Sequence, residues 1–205
     1  MSGLFITFEG GEGCGKTTQI DLLAEYLREQ GRTVVETREP GGTPIAEAIR
    51  GVLLNPEHGE MDTQAELLLY AAARAQHVNE KIGPALAAGQ VVLCDRFADS
   101  TTAYQGAARG VAASELAALH RMATGDIWPH KTFLIDLAPE VGLDRAKIRG
   151  TADRLESEAL SFHTAVRQGF LKLAQEEPER IQVIDGAQEI QTIALEIQSV
   201  VEGLL

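Results

Sequence analysis

Leu4-Phe5-Ile6-Thr7-Phe8-Glu9-Gly10-Gly11-Glu12-Gly13-Cys14-Gly15-Lys16-Thr17-Thr18 decides how the rest of the chain is read. The first five residues are a short apolar, β-prone run. Gly10 to Thr17 fit the spacing G-x-x-x-x-G-K-[ST]. After it, Ile20, Leu22, Leu23, Ala24 and Leu27 recur at helical spacing through Gln30. A strand, a glycine-rich turn and a helix start therefore follow one another. Such a turn aims successive backbone N–H groups at one anion, and the helix N-terminus adds partial positive charge. The binding set predicted for a nucleoside triphosphate is Gly10, Gly11, Glu12, Gly13, Cys14, Gly15, Lys16, Thr17 and Thr18. Lys16 is expected to reach the β- and γ-phosphates, and the Thr17 hydroxyl to ligate Mg2+.

Working outward, 205 residues with 44% hydrophobic and 23% charged side chains predict one domain, 1–205, with a full core. The 30 acidic and 18 basic residues leave a net charge of −12, which argues against a broad basic face for a nucleic acid polymer. Anionic ligands must then be held by local cation clusters against the overall field. Cys14 and Cys94 make no disulfide framework and read as small buried hydrophobes, and the five histidines show no metal-ligand spacing. The opening apolar run stops at Glu9, too soon for a signal peptide, and no stretch approaches a membrane span. The expectation is a cytoplasmic protein without a membrane partner.

Five apolar runs read as buried strands: 4–8, 33–37, 91–94, 132–137 and 181–184. Helical patterns separate them, over 16–30, 44–54, 63–82, 114–124, 140–149, 158–175 and 189–202. Pro84 is expected to break the long middle helix and Gly89 to end its continuation. This alternation predicts an α/β fold, a five-stranded parallel sheet with helices on both faces. Ligands bind such sheets at the carboxyl ends of the strands.

Two segments stand at those ends. Thr37-Arg38-Glu39-Pro40-Gly41-Gly42-Thr43 follows the second strand, and Asp95-Arg96-Phe97-Ala98-Asp99-Ser100-Thr101-Thr102-Ala103-Tyr104-Gln105 the third. Each sets an arginine at the expected site edge. Val91 to Asp95 has the apolar-run-plus-Asp form of a Walker B strand, whose carboxylate holds Mg2+ directly or through water. A third basic cluster, Arg145, Lys147, Arg149 and Arg154, surrounds the break at Gly150 and Thr151. It reads either as a solvated helix end or as a short mobile lid, about 145–158, that closes over a transferring phosphoryl group.

Together these segments resemble the thymidylate kinase family, in order over nearly the whole chain. Leu93-Cys94-Asp95-Arg96-Phe97-x-x-Ser100-Thr101-x-Ala103-Tyr104-Gln105 is similar to the family signature at each defined position. Thr37 to Thr43 resembles the segment after the second strand of bacterial members. Leu68-Leu69-Tyr70-Ala71-Ala72-Ala73-Arg74 resembles the thymine-binding helix. Some members carry an arginine inside the phosphate loop, where this chain has Gly13. The bacterial type supplies that charge from an arginine-rich lid.

The resemblance implies a P-loop NTPase fold and the reaction ATP + dTMP → ADP + dTDP with Mg2+, in a homodimer. Lys16 would bridge the donor phosphates, Thr17 and Asp95 would hold the metal, and Arg149 and Arg154 would stabilise the transferring group. Arg38, Arg50 and Arg96 would converge on the dTMP phosphate. Glu12 would meet the sugar 3′-hydroxyl or the Mg2+ shell. Tyr70 would stack on the base while Arg74, one helical turn on, donates to thymine O4. Ser100 belongs to the same substrate-binding signature, and Thr101 and Gln105 would complete the base edge. Tyr104 would lie under the sugar and exclude a 2′-hydroxyl. The turn at 185–188 is the expected adenine side, and Leu67, Leu68, Ala71, Ala72 and Ala75 offer a dimer face. The rival classes lack their marks: there is no Asn-Lys-x-Asp of a GTPase switch and no Asp-Glu pair of a mechanical ATPase.

Overall fold

The five apolar runs become β1 (Leu4–Glu9), β2 (Val34–Arg38), β3 (Val91–Asp95), β4 (Lys131–Asp136) and β5 (Ile181–Asp185). The computed structural model describes residues 3–125, 127–149 and 153–205, the Arg149 side chain excepted. The strands form one parallel sheet in the order β2-β3-β1-β4-β5. Its register sets Phe8 beside Asp95 and Arg38 beside Asp95. The central strand thus leads into the glycine-rich loop, with the charged ends of β2 and β3 alongside. β1, β2, β3 and β5 each run one residue past the apolar run, onto Glu9, Arg38, Asp95 and Asp185. β-ladder hydrogen bonds continue wherever a partner carbonyl is in register, whatever the side chain.

Helices cover both faces. On one, Ile20, Leu23, Ala24 and Leu27 of α1 (Lys16–Glu29) pack with Ile193, Ile197 and Val201 against Ile6, Phe8 and Leu93. On the other, Val78, Ile82 and Ala85 pack with Phe97 against Phe5, Val92 and Cys94. α2 (Pro44–Leu54) and α3 (Thr63–His77) pack on each other; α2 starts after Thr43 with Pro44 in its first turn, and the Asp62 carboxylate caps α3.

Pro84 does not break the middle helix. A π-turn over Val78–Ile82 intervenes, and helix resumes as α4 (Gly83–Ala87), with Gly83 N–H donating to Val78 C=O and Pro84 in the first turn. A missing N–H costs nothing at a helix start. Gly89 ends this run at φ 73°, as expected. The sequence pattern also gave no helix after Asp95, yet α5 (Ala98–Thr101) and a π segment over Thr102–Ala108 are wound there. The remaining helices are α6 (Ala113–Thr124), α7 (Pro139–Arg149), α8 (Leu160–Glu176) and α9 (Ile190–Glu202). No described helix is long and apolar enough to cross a membrane.

Candidate active site

A cleft of about 1460 Å3 lies along the carboxyl edge of the sheet. Its floor is the glycine-rich loop. Gly10, Gly13 and Gly15 sit at φ 138°, 63° and 100°, where a Cβ is strained. At Gly13 a Cβ would stand 2.1 Å from Gly142 O of α7 and 3.2 Å from Arg145 Cβ. An arginine at position 13 is therefore excluded by geometry, and α7 brings Arg145 to that spot instead. Lys16 is only 7% exposed and curls back on its own loop, Nζ donating to Gly11 O at 2.9 Å and Gly10 O at 3.4 Å. Thr17 Oγ1 donates to Asp95 Oδ2 at 3.2 Å, which brings the two expected metal ligands together. Thr18 and Cys14 also line this end, as do Gly186, Ala187 and Gln188 of the turn after β5.

Beyond the loop stands Arg96, in the left-handed region at φ 67° although it is not glycine. Backbone held in that region marks over-determination by its surroundings. Here Arg96 N–H donates to Phe8 O, Nη1 to Gly10 O at 2.8 Å, and Nη2 to Glu12 Oε1 at 2.7 Å. Its guanidinium lies 5.1 Å over the Tyr104 ring, and Tyr104 OH donates to the same Glu12 oxygen at 2.8 Å. Burial would push the Glu12 carboxyl up, but Arg96 and Lys16 outweigh it and hold it down at about 2. Glu12 is thus a fixed anion between the two halves of the cleft. Beneath it Glu9 is fully buried and accepts from the N–H groups of Phe97 and Ser100 and from the Ser100 hydroxyl. Its carboxyl caps α5, and burial with the neighbouring Asp99 charge pushes it up to about 8.

The far wall is built by α3, which turns Glu66, Tyr70 and Arg74 to one side at four-residue spacing. Arg74 is 2% exposed. Its Nε donates to Glu39 Oε2 at 2.7 Å, and its Nη2 to Phe97 O and Thr101 Oγ1, each at 3.0 Å. The other Glu39 oxygen meets His77 Nδ1 at 3.0 Å, and His77 Nε2 meets Thr37 Oγ1 at 2.7 Å. Since a carboxylate only accepts, His77 donates from Nδ1. Gln105 Nε2 donates to Glu66 at 2.8 Å. Burial raises the Tyr70 and Tyr104 phenols, so both stay protonated. Arg38 forks onto both oxygens of Glu47 at 3.0 Å, and Arg50 donates to Pro40 O at 2.8 Å.

Among the described residues, every one expected at the site lines the cleft except Gly10, Gly11 and Arg154. Gly10 and Gly11 still serve it, through carbonyls that hold Arg96 and Lys16. The Arg149 side chain lies outside the described residues. Arg154 is placed elsewhere. Its neighbours Asp153 and Leu155 line the cleft, while Arg154 turns away, 8% exposed, with Nε donating to Leu53 O at 2.8 Å and Nη2 2.6 Å from Glu66 Oε2. A buried guanidinium paired with a buried carboxylate is not free to reach a phosphate.

Sequence reasoning missed Glu9, Glu39, Glu66 and His77. It also missed Thr43, whose buried hydroxyl lines the cleft with no hydrogen-bond partner among the described residues. The side-chain partners of the three acids and the histidine are 35 to 91 residues away, and no spacing rule spans that distance. The one available signal was position, since Glu9 and Glu39 stand at strand carboxyl ends.

One cleft with a triphosphate cradle at one end and a buried arginine wall at the other fits phosphoryl transfer between two nucleotides, and defines a P-loop nucleotide kinase. The family model described as thymidylate kinase matches residues 8–197. A thymidylate kinase of Geotalea uraniireducens (strain Rf4) is 56% identical over 195 residues, covering 92% of each chain. One from Pseudomonas fluorescens (strain SBW25) is 53% identical over 205 residues, all of this chain and 98% of the other. The crystal structure of thymidylate kinase from Ehrlichia chaffeensis superposes with a TM-score of 0.82 at 37% identity, covering 98% of this chain and 100% of that one. The chain belongs to the thymidylate kinase family, and it is an enzyme of that type.

Proposed function

We propose that the reaction of this enzyme, ATP + dTMP → ADP + dTDP, runs across the cleft with ATP at the loop end and dTMP at the α3 end. The observation that carries this reading is the two-ended cleft itself, with Lys16, Thr17 and Asp95 at one end and Arg96, Arg74 and Gln105 at the other. The acceptor needs no general base, because a phosphate monoester with a second pKa near ~6 is already a nucleophile at neutral pH. The task is to bring two anions into line. Lys16 leaves its carbonyl partners for the donor phosphates. Arg38, Arg50 and Arg96 hold the acceptor phosphate, whose oxygens suit a guanidinium fork. Glu12, fixed by Arg96 and Tyr104, faces the sugar. Arg145 stands where a loop arginine cannot, and supplies cationic charge from α7. Arg149, one turn further along that helix, is the second candidate for that role.

Mg2+ fits the donor end. Thr17 and Asp95 offer one hydroxyl and one carboxylate oxygen, and no cluster of three or more His, Cys, Asp or Glu competes among the described residues. Mg2+ is commonly held by one or two protein oxygens with phosphates and water completing the shell. When bound it neutralises donor phosphate charge.

At the base, Arg74 donates where thymine offers O4 and cytosine an amino group. A donor left unpaired there costs about 1–3 kcal/mol. The protein is further proposed to work in the cytoplasm as a homodimer. The expected dimer face is divided, with Leu67 buried in the core and Leu68 57% exposed, so the outer side of α3 carries the contact. Sedimentation of wild type against Leu68→Glu tests this.

ADP formation from Mg-ATP with dTMP, dUMP, dCMP, dGMP and AMP tests the function. The expected result is strong dTMP turnover, weaker dUMP turnover and both lowered about 10³-fold in Lys16→Ala. Preference for another acceptor would overturn the base assignment.

A further inference from the structure

Glu66 neither lines the cleft nor touches a phosphate-binding residue, yet it is 1% exposed and ringed by donors. Gln105 Nε2 donates to it at 2.8 Å and Arg109 at 3.4 Å, and Arg154 Nη2 stands 2.6 Å away as an ion pair. Arg109 is itself held by Glu158 at 2.7 Å and lies 4.8 Å over the Phe162 ring. A buried carboxylate persists only when paired this well, and two guanidinium groups face this one. An ionised carboxylate accepts and never donates. The Gln105 amide facing it must therefore present its NH2 group. The reverse orientation would put two acceptors 2.8 Å apart and leave the amide nitrogen without its bond. Gln105 is 1% exposed and lines the cleft, so its carbonyl oxygen is the end left for a ligand.

We propose that Glu66 is a positioning residue for base selection: it locks the Gln105 amide so that the pocket offers an acceptor to the ring edge of the nucleotide. This rests on the reading of Gln105 as a base contact. Thymine carries N–H at ring position 3 and satisfies that acceptor. Cytosine carries a lone pair there and is repelled. The lock adds to the Arg74 donor beside it, so the pocket tests two adjacent positions with opposite polarity. The same carboxylate anchors Arg154, which ties the chain leaving the lid to the wall that reads the base. That tie explains why Arg154 is unavailable to the transferring phosphoryl group.

The test is a double-mutant cycle on the full chain, with kcat/KM measured for dTMP and dCMP in wild type, Glu66→Gln, Gln105→Ala and the double variant. A glutamine at 66 lets the Gln105 amide flip. The dTMP-to-dCMP preference should narrow about tenfold or more in Glu66→Gln, with KM for ATP unchanged, and Glu66→Gln should add nothing further in the Gln105→Ala background. A narrowing in Gln105→Ala but none in Glu66→Gln, or strictly additive losses, would overturn the proposal while leaving the base contact standing. An unchanged preference in Gln105→Ala would overturn the base contact itself and the proposal with it. If Glu66→Gln does not fold, Glu66→Asp keeps the charge for Arg154 and Arg109 but withdraws the acceptor from Gln105. A preference narrowed about threefold supports the lock, and an unchanged one overturns it.

Discussion

The two ends of the cleft are built differently. At the acceptor end Arg74, Arg96 and Arg38 each already hold a protein carboxylate, while Arg50 holds the Pro40 carbonyl, and the pairs grade from inside to outside. Arg74–Glu39 is 2% and 4% exposed, Arg96–Glu12 16% and 18%, Arg38–Glu47 54% and 39%. The innermost pair, proposed to read the base, is fixed, while the outermost pair is solvated, contributes little stability and, on the proposed reading, is exchanged for a phosphate. At the donor end Lys16 is turned onto the carbonyls of its own loop, and Arg145 is exposed on α7. On the proposed reading, the acceptor is met by a preformed surface, whereas charge on the transferring group is stabilised only after side chains move. Interactions made in the transition state and not before are the ones that raise kcat.

The largest effect should come from the donor end. Lys16→Ala is expected to lower kcat by about 10³-fold while the dTMP end keeps its affinity, which dTMP titration calorimetry would report. A variant with normal kcat would erase the distinction drawn between the ends. Next comes Arg96, which joins them. Arg96→Lys keeps the charge but loses the fork to Gly10 and Glu12, so kcat/KM for dTMP should fall about 10²-fold. A near-normal lysine variant would mean that point charge suffices and that the rigid geometry at φ 67° is incidental.

Arg145 and Arg154 give a sharper version of the same comparison. Arg145→Ala should lower kcat about tenfold with KM for dTMP unchanged and the melting temperature near wild type. Arg154→Ala should instead lower the melting temperature, because it strips one partner from a buried carboxylate, and should leave donor-side kcat nearly intact. Single-turnover kinetics and thermal melts on both variants decide it. Interchanged results would show that the 153–158 segment swings its arginine into the cleft during turnover.

How much of this was legible in the sequence follows from contact range. The loop, its Lys16 and Thr17, the strand ends carrying Arg38, Asp95 and Arg96, and the α3 spacing of Tyr70 and Arg74 are local patterns, and the structure sets each on the cleft. The helix after Asp95 was not legible, since Ser100-Thr101-Thr102 is poor helical sequence and its cap is Glu9, 91 residues from Ser100. Likewise the role for Arg154 rested on charge near a flexible glycine. What redirects it is a carboxylate at position 66 and a carbonyl at position 53, neither marked by any motif. Gly13 shows the reverse case. The missing arginine was visible in the sequence, but its cause, the Gly142 carbonyl 2.1 Å from any Cβ there, required the fold.

The smallest expected effect concerns the floor that the two ends share. Glu9 ends the central strand immediately before the loop and caps the helix immediately after Arg96. Burial, then the Asp99 charge, raises its carboxyl to about 8 against an ordinary value of 4.5, so the folded protein keeps a proton that the unfolded chain releases. The folded state binds more protons across that interval, and stability falls as pH rises through it. The contribution is complete below about pH 4.5 and is lost by pH 8. Glu9→Gln has no such proton; its amide oxygen can keep accepting from the Phe97 and Ser100 N–H groups, and its NH2 can turn the Ser100 hydroxyl into an acceptor. Its melting temperature should match wild type near pH 5 and exceed it by a few degrees near pH 8.5, with kcat little changed. A difference that stays flat with pH would show that Glu9 is ionised in the fold, and that Arg96, the residue directly after β3, balances two carboxylates rather than Glu12 alone.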